Sequence, residues 1–368
     1  MAADFAFKSF YNTIMKLIIL SLSICFLAID LSCSSSRLSR IEEILKPFRL
    51  SGKPGGAVMI LRQGTVLYES VFGTANMEDG ALNTLTTNFR LASVTKQFTA
   101  MAVMMLAERG KLFLQQSLSD FFPEFAPVGG RITLQHLLTH TSGITAYEDV
   151  MPESTTVPLL DKDVLRLLKD IDSTHAAPGS KFSYSNSGFA LLALVVERVS
   201  GMSFARYLRE NIFLPLGMNS TVAYERGISE VHQRAYGYSS DTAKPGDFVR
   251  TDQSLTSSVL GDGGVYSSVD DLRKWDAALA AGSLVAAKTL KDILSHHATI
   301  EDGKTWYGYG WYIGSIDGVP AYYHGGSTVG FRTFILRIPD RSLTVILLFN
   351  RSDVNPEEIG WGLAGQYL

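Results

Sequence analysis

The stretch Phe331–Phe349, which reads FRTFILRIPDRSLTVILLF, decides the fold class. Two apolar runs, Phe331–Ile338 and Leu343–Phe349, flank a turn sequence that begins at Pro339. Runs of this length, rich in β-branched and aromatic residues and separated by a proline turn, predict two antiparallel strands. The C-terminal part of the chain is therefore predicted to form a sheet.

Further strands are predicted near both ends of the chain, and helices between them. A hairpin turn at Gln63-Gly64 joins two strand-like runs. From Thr95 to Leu106 the apolar residues recur at helical spacing. The other predicted strands are 57–61, 66–72, 307–313 and 321–323. The predicted helices lie within 34–53 and at 95–106, 133–138, 164–171, 188–199, 204–212, 269–281 and 283–297, with a last one after Asn355-Pro356.

This order of elements predicts an α/β (α+β) fold. An antiparallel sheet flanked by helices is formed from both chain ends, and a mainly helical domain is inserted between them. We expect a signal with its tether at residues 1–36, the sheet domain at 37–95 and 298–368, and the helical domain at 96–297. The active site is expected in the cleft between the two domains.

The composition excludes several classes of function. Of 368 residues, 33 are Lys or Arg and 36 are Asp or Glu, which gives a net charge of -3 and no case for binding nucleic acid. Cys25 and Cys33 are the two cysteines. The sequence after Cys33 therefore has no disulfide framework, zinc–cysteine cluster or catalytic cysteine.

The N-terminal segment is typical of an export signal. Lys8 and Lys16 precede the apolar run Leu17–Ile29, which is short for a bilayer-spanning helix. The following Asp30-Leu-Ser-Cys33 resembles a bacterial lipoprotein cleavage site, although an aliphatic residue is usual where Asp30 stands. Lipidation of Cys33, ordinary cleavage and an uncleaved anchor remain open. Each of them predicts an exported protein, periplasmic or membrane-anchored in a bacterium.

The first candidate for catalysis is Ser93-Val-Thr-Lys96, at the start of the helical pattern. A spacing of three places both side chains on one helix face. Serine needs a base within hydrogen-bond reach, and a desolvated lysine has a lowered pKa that suits it to accept the serine proton. The alternative is a helix-capping Ser93 beside a solvated Lys96.

Two further segments carry polar groups suited to a site. In an extended Tyr184-Ser-Asn186, the phenol and the amide would face one cleft, where they could relay a proton and hold a carbonyl. The alternative is a surface loop with a helix-capping Asn186. In His324-Gly-Gly-Ser327, the glycines allow close approach of a ligand and an edge N–H could serve an oxyanion hole. The alternative there is a glycine turn with a surface histidine.

Together, the three elements resemble the serine β-lactamase and penicillin-binding protein superfamily, in its class C and DD-peptidase-like branch (peptidase family S12). That branch carries S-x-x-K, Y-x-N and K/H-x-G in this order, and the resemblance covers Ile41 to Leu368. Three other stretches resemble segments of the same family. They are Phe89–Lys96, Leu137–Gly143 and Gly263–Leu272.

The resemblance implies a serine hydrolase that forms an acyl-enzyme. It makes Ser93 the nucleophile, Lys96 its base partner and Tyr184 the proton shuttle, and it leaves open which of Lys96 and Tyr184 is the base in acylation. The backbone N–H groups of Ser93 and Ser327 would form the oxyanion hole. The residues implied to bind the substrate are Asn186, His324, Gly325, Gly326 and Ser327.

Two departures from the family pattern bear on the substrate. His324 stands where β-lactamases have lysine, and a neutral histidine attracts a carboxylate more weakly. The segment Asn355–Glu358 is acidic where a basic side chain is expected, although Arg351 could compensate. Both departures favour an ester, amide or D-amino-acid peptide as substrate. The alternatives are a true class C β-lactamase and a slowly deacylating penicillin-binding or sensor protein.

No cofactor or metal is expected. The sequence lacks the G-x-S-x-G, P-loop and dinucleotide-binding patterns. His136 and His140 are four residues apart, but no H-E-x-x-H accompanies them, and the segment predicts a structured loop. The expected partner is a small-molecule or peptide substrate, with no nucleic acid and with membrane attachment through a lipidated Cys33 as an option. The sequence does not indicate an oligomeric state.

Overall fold

The computed structural model describes residues 36–368. The predicted signal, with Cys33, lies outside the described residues apart from its last position. Contacts divide the described chain into a main unit, Phe48–Ala364, and a small unit of residues 36–47 with 365–368. In the small unit, residues 36–45 form helix α1, and the Arg37 guanidinium lies 4.8 Å from the centre of the Tyr367 ring.

An eight-stranded antiparallel sheet dominates the main unit, in the order β10-β11-β12-β13-β14-β15-β1-β2. It joins strands from both ends of the chain, as predicted. The strands are β1 Gly56–Arg62, β2 Thr65–Phe72, β3 Thr74–Asn76, β4 Ala81–Leu82, β5 Phe89–Arg90, β6 Val222–Ala223, β7 Tyr238–Ser240, β8 Phe248–Arg250, β9 Val265–Ser267, β10 Ala298–Thr299, β11 Trp306–Tyr307, β12 Tyr312–Ile316, β13 Val319–Thr328, β14 Phe331–Ile338 and β15 Leu343–Phe349.

Most of the helices lie between the two groups of sheet strands in the chain, which confirms the predicted fold class. Helix α10 has the predicted bounds. The helices are α2 Lys96–Glu108, α3 Leu118–Phe121, α4 Leu134–Leu138, α5 Tyr147–Val150, α6 Asp161–Leu168, α7 Asn186–Ser200, α8 Phe204–Leu208, α9 Leu260–Gly263, α10 Val269–Ala281, α11 Ala287–Ile293 and α12 Pro356–Gly365. Shorter turns are Lys46–Phe48, Ala92–Thr95, Pro127–Arg131, Arg209–Phe213 and Pro339–Arg341.

The centre of the sheet is buried on both faces, which explains its continuous apolar runs. Every residue of β15 is buried. On one face, Thr344 donates a hydrogen bond to Asp276 of α10 (2.8 Å). On the other face, Phe334 packs against Trp361 of α12, with ring centres 6.4 Å apart. A strand covered on both sides needs apolar residues at every position rather than at alternate ones.

Helix α2 runs through the core and fixes the start of the site. Its residues are buried from Lys96 to Leu106. Phe98 contacts Trp275, with ring centres 4.6 Å apart, and the Trp275 indole donates to Gln97 Oε1 at 3.0 Å. A helix buried on all sides has little freedom to rotate or slide. The first turn of α2, which carries Lys96, is therefore held firmly.

Three element predictions are wrong in part. The helix predicted at 164–171 starts at Asp161 and ends at Leu168, since the Leu160 N–H donates to the Asp163 carboxylate (2.8 Å) and caps an earlier start. The strand predicted at 307–313 is interrupted between β11 and β12, because Gly310 has φ +77 and a Cβ there would lie 2.7 Å from the Lys96 carbonyl oxygen. The helix predicted at 283–297 is confined to α11, and Ala298–Thr299 is a strand.

No single helix within residues 36–368 combines the length and apolar composition needed to span a membrane. The pair Asn186–Ser200 and Phe204–Phe213 meets that criterion only when taken together, across a bend of 76°. The domain bounds predicted at residues 95/96 and 297/298 remain a prediction, since the main unit contains both the sheet and the helices.

Candidate active site

Ser93 lies in the tight turn Ala92–Thr95 that leads into α2. The preceding Ala92 has φ +48, a left-handed conformation that is strained for alanine. Strand β13 packs directly on this turn, since a Cβ on Gly326 would lie 2.1 Å from the Leu91 carbonyl oxygen. Thr333 of β14 also donates a hydrogen bond to that carbonyl (2.7 Å). The sheet therefore holds the strained turn in place.

Lys96 is completely buried beneath Ser93, and its ammonium group is fully bonded. Nζ donates to Ser93 Oγ at 3.1 Å, to Asn186 Oδ1 at 2.8 Å and to the Asp262 carbonyl oxygen at 2.8 Å. These three acceptors match the three protons of an ammonium. Burial lowers the pKa of Lys96 to about 8, against the opposing attraction of the Asp262 and Glu148 carboxylates.

Tyr184 lies beside Ser93 and Lys96 in the site. Lys96 Nζ lies 4.9 Å from the centre of the Tyr184 ring. The residue is 36% exposed and lines the open cavity. Burial nevertheless raises the pKa of the Tyr184 phenol, and a hydrogen bond with Ser93 only partly offsets this. The phenol is therefore protonated at ordinary pH.

His140 fixes the position of Tyr184, a contact that the sequence analysis did not predict. The His140 carbonyl oxygen accepts from the Ser183 N–H (2.7 Å), and its Nδ1 accepts from the Ser185 N–H (3.0 Å). The His140 and Tyr184 rings are 4.2 Å apart. His140 is buried, and burial lowers its pKa well below the ordinary value. The ring is therefore neutral and carries its proton on Nε2.

Asn186 is the first residue of α7, and both the oxygen and the nitrogen of its side-chain amide form hydrogen bonds. Its Oδ1 accepts from Lys96, and its Nδ2 donates to Glu148 Oε1 at 2.8 Å. The residue before the helix is Ser185, so the alternative that Asn186 caps a helix is wrong. Its second amide proton remains free to meet a substrate carbonyl.

A buried acidic network positions the backbone that Lys96 contacts. The Asp161 carboxylate accepts from the N–H groups of Leu260 (2.9 Å) and Gly261 (3.0 Å), at the start of α9. The Tyr147 hydroxyl donates to Asp262 Oδ2 at 3.1 Å. Burial raises the pKa of Asp161 to about 7. These contacts hold the Asp262 carbonyl oxygen at the lysine.

His324 lies in the middle of β13, so the alternative of a turn with a surface histidine is wrong. It is 1% exposed. Its Nδ1–H donates to the Gly325 carbonyl oxygen (2.7 Å), which leaves Nε2 to accept from the Tyr307 hydroxyl (3.0 Å). Burial, together with the charge of Lys96, lowers the pKa of His324 to about 3. The imidazole therefore offers no positive charge at neutral pH.

These groups meet at an open cavity of about 700 Å³. Every site residue predicted from the sequence lines it except Lys96, which lies beneath. Arg351, expected to compensate for the missing lysine, does not line it; its guanidinium is paired with Asp353 at 2.7 Å. The lining residues that the sequence analysis missed as site residues are Tyr312, Tyr323, Arg332, Thr333, Val354, Asn355, Pro356 and Glu357.

His136, weighed with His140 as a zinc ligand, has a structural role. Its Nδ1 accepts from the Thr133 N–H at 3.2 Å, and its own N–H donates to Thr133 Oγ1 at 3.2 Å. The two residues thus cap the start of α4 reciprocally. Within residues 36–368, no group of three or more His, Cys, Asp or Glu side chains is arranged to hold a metal ion.

The chain is similar to known proteins over most of its length. The β-lactamase family model matches residues 41–365. A penicillin-binding protein of Bacillus subtilis (strain 168) is 32% identical over 311 residues, which cover 81% of this chain and 68% of that protein. A D-aminopeptidase of Brucella anthropi is 29% identical over 324 residues, 85% of this chain but 59% of the relative's length.

A solved penicillin-binding protein from Bacillus halodurans has the same fold. It superposes with a TM-score of 0.76 at 30% identity, and the match covers 88% of this chain and 97% of that one. The chain therefore belongs to the β-lactamase family and is a serine hydrolase of the β-lactamase fold.

Proposed function

We propose that the protein hydrolyses an ester, amide or D-amino-acid peptide bond through an acyl intermediate on Ser93. The observation that carries this proposal is the 3.1 Å contact between Ser93 Oγ and the amine of Lys96, beside the open cavity. A serine hydroxyl becomes a useful nucleophile when a base stands within hydrogen-bond reach.

In the acylation step, Ser93 Oγ attacks the substrate carbonyl carbon as its proton passes to the neutral form of Lys96. The backbone N–H groups of Ser93 and Ser327 would stabilise the resulting oxyanion. When the bond to the leaving group breaks, the proton passes from Lys96 through the Tyr184 hydroxyl to the leaving atom. In deacylation, water attacks the ester of Ser93, and the same groups return the proton to Oγ.

The pKa shifts favour Lys96 over Tyr184 as the base. Burial lowers the pKa of the lysine to about 8 but raises that of the phenol. A neutral amine is therefore accessible near neutral pH, whereas a phenolate is not. Tyr184 then acts as a relay that gives one proton while it accepts another.

The substrate class follows from the charge of the cavity. His324 is neutral, and Arg351 is engaged with Asp353, so neither provides the cation that would hold a β-lactam carboxylate. The arginine that lines the cavity is Arg332, whose Nη1 is bonded to backbone carbonyl oxygens. The similarity to a D-aminopeptidase supports a D-amino-acid amide or peptide as one form of the substrate. A true β-lactamase and a slowly deacylating sensor are the alternatives for the experiment to separate.

A serine-reactive fluorophosphonate probe tests the nucleophile. It should label the wild type and a Ser295→Ala control, a serine on the turn after α11, but not Ser93→Ala. Labelling of Ser93→Ala would refute the assignment. Steady hydrolysis of p-nitrophenyl esters would identify a hydrolase. Release of one equivalent of product with no further release would identify a sensor. Fast nitrocefin turnover would identify a β-lactamase.

We also propose that the protein is exported, with Cys33 lipidated or the chain cleaved nearby. The apolar run Leu17–Ile29 and the serines after Cys33 support this. Expression in a bacterial host with a radiolabelled fatty acid should label the wild type and not Cys33→Ala. Absence of label, with the protein in the soluble periplasmic fraction, would indicate ordinary cleavage instead.

A further inference from the structure

The charges of the cavity wall are few. Of the residues that line the cavity, Arg332 and Glu357 are the ones with a formal charge. His324 is neutral, because its pKa is lowered to about 3. Lys96 lies beneath the cavity with all three protons of its ammonium bonded. The sign of charge that a substrate encounters therefore depends on Arg332 and Glu357.

The charge of Arg332 is partly offset by the protein. Its Nη1 donates to the backbone carbonyl oxygens of Thr328 (3.4 Å), Val329 (3.2 Å) and Phe331 (2.7 Å). Burial lowers the pKa of Arg332, and the Asp353 carboxylate partly opposes this shift. These contacts hold Nη1 on the protein side, and Asp353 offsets part of the charge that a substrate carboxylate would meet.

The charge of Glu357, in the first turn of α12, is not offset by an ion pair within the described part of the chain. Its side chain is exposed, and no ion pair to it is found among residues 36–368. The Trp361 indole donates to its Oε1 at 3.5 Å, which orients the carboxylate without neutralising it. Burial raises the pKa of Tyr312 and the pKa of Tyr323, and the charge of Glu357 adds to both shifts.

An aromatic row leads from the reacting serine toward Glu357. The rings of Tyr184 and Tyr312 are nearly parallel, with an angle of 6° and centres 6.5 Å apart. Tyr312 and Tyr323 stack with centres 5.4 Å apart, and Trp361 meets Tyr323 at 5.1 Å. Aromatic faces attract cations, and an adjacent carboxylate adds to that attraction. The aromatic row and the Glu357 carboxylate would therefore both attract an ammonium group.

We propose that the cavity selects a substrate that carries an ammonium group, held by the Glu357 carboxylate beside the aromatic row of Tyr312 and Tyr323. Substrates with a carboxylate in the same position are disfavoured by the same charge. This inference rests on the proposed hydrolase function and names the substrate class for that site. It places the determinant of specificity on α12, away from the groups that carry out the chemistry.

The test is a panel of p-nitrophenyl esters matched in shape, in which the acyl chain ends in an ammonium, an uncharged or a carboxylate group. A second panel carries the same groups on the alcohol part, with the release of alcohol followed by acid titration. In at least one panel, wild-type kcat/KM should favour the ammonium over the carboxylate substrate by roughly tenfold, as expected for one charge in a partly hydrated cavity. The preference should shrink in high salt.

Two variants assign the preference to one carboxylate. Glu357→Gln should bring the ammonium-to-carboxylate ratio close to one, and Glu357→Lys should invert it. Glu358→Gln is the matched control, because Glu358 is also exposed on the first turn of α12 but does not line the cavity, and it should keep the wild-type ratio. Equal melting temperatures would show that the ratios come from folded enzyme.

Two results would overturn the inference while leaving the proposed function intact. One is a wild type that hydrolyses the uncharged ester in a Ser93-dependent way but treats ammonium and carboxylate substrates alike in both panels. The other is a preference that survives Glu357→Gln or is equally lost in Glu358→Gln. Failure of the proposed function is distinct, because the uncharged ester would then be hydrolysed equally by Ser93→Ala.

Discussion

The floor of the cavity and its outer wall are built in opposite ways. At the floor, the Lys96 ammonium is fully bonded, and the strained turn at Ala92 is clamped by the sheet. On the wall, Glu357 is exposed and has no cationic partner among the described residues. A floor of buried, hydrogen-bonded groups suits chemistry that needs fixed geometry, whereas an exposed carboxylate on the wall remains available to bind a charged substrate.

The largest effect should come from the floor. Lys96→Ala and Ser93→Ala should each lower kcat by roughly 10⁴-fold or more, and the double variant should be no worse than either single one. Lys96→Arg is the matched control for charge, and it should be equally inactive because a guanidinium does not accept the serine proton. Single-turnover kinetics with an activated ester measures these losses. Additive losses would mean that the two residues do not act together.

The next effect is the loss of the proton relay. Tyr184→Phe should lower kcat by roughly 10²- to 10⁴-fold, because the ring still packs on His140 but no hydroxyl carries the proton to the leaving atom. The loss should be larger for an amide than for a p-nitrophenyl ester, since nitrophenolate leaves without a proton. Equal losses on both substrates would contradict the relay.

A smaller effect should follow from crowding the turn that carries Ser93. Gly326→Ala places a Cβ 2.1 Å from the Leu91 carbonyl oxygen and should lower both the melting temperature and kcat. Gly325→Ala is the matched control, since its nearest contact is 3.9 Å. Thermal unfolding should show a destabilisation of about 1–3 kcal/mol for Gly326→Ala alone. Equal stability of the two variants would mean that strand and turn are not in tight contact.

The pH dependence of kcat/KM should reflect the pKa of the buried Lys96. Since we propose the neutral amine as the base, kcat/KM should rise with pH and level off above the Lys96 pKa of about 8. In Asp262→Asn, the opposing carboxylate is lost, so the midpoint of this rise should move to lower pH. A midpoint that stays in place or moves to higher pH would show that another group controls the rise of kcat/KM with pH.

The smallest effect concerns the support of Tyr184. His140→Phe keeps a ring but removes the acceptor of the buried Ser185 N–H, and it should destabilise the protein by about 1–3 kcal/mol. His140→Asn, which keeps an acceptor, should recover part of the stability and of kcat. Unfolding curves and ester kinetics on both variants measure this. If Asn is no better than Phe, the hydrogen bond does not hold the tyrosine.

Local patterns predicted the groups that are close in sequence or lie in regular elements. Ser93 and Lys96 meet because one helical turn separates them, and the sheet follows from runs such as Leu343–Phe349. The interruption at Gly310 was not predictable, because it depends on the approach of the Lys96 carbonyl from a distant segment. The contact between His140 and Ser185 likewise joins segments that only the folded chain brings together.

The wall of the cavity was predicted least well. The acidic segment at 355–358 departs from the family pattern, but its distance from the serine depends on how α12 packs on the sheet. Arg351 was the expected cation, yet it pairs with Asp353, whereas Arg332 of β14 faces the cavity. Periodicity does not reveal which of two nearby arginines pairs with Asp353 and which lines the cavity, because that depends on the tertiary packing.

The central claim is that an acyl group passes through Ser93. Rapid quenching during turnover of a slowly deacylating ester, followed by intact-mass and peptide analysis, measures this directly. We predict an adduct with the mass of the acyl group on the peptide that contains Ser93, forming and decaying at rates that account for turnover. Turnover without such an adduct, or with the acyl group on another residue such as Ser327, would contradict the account.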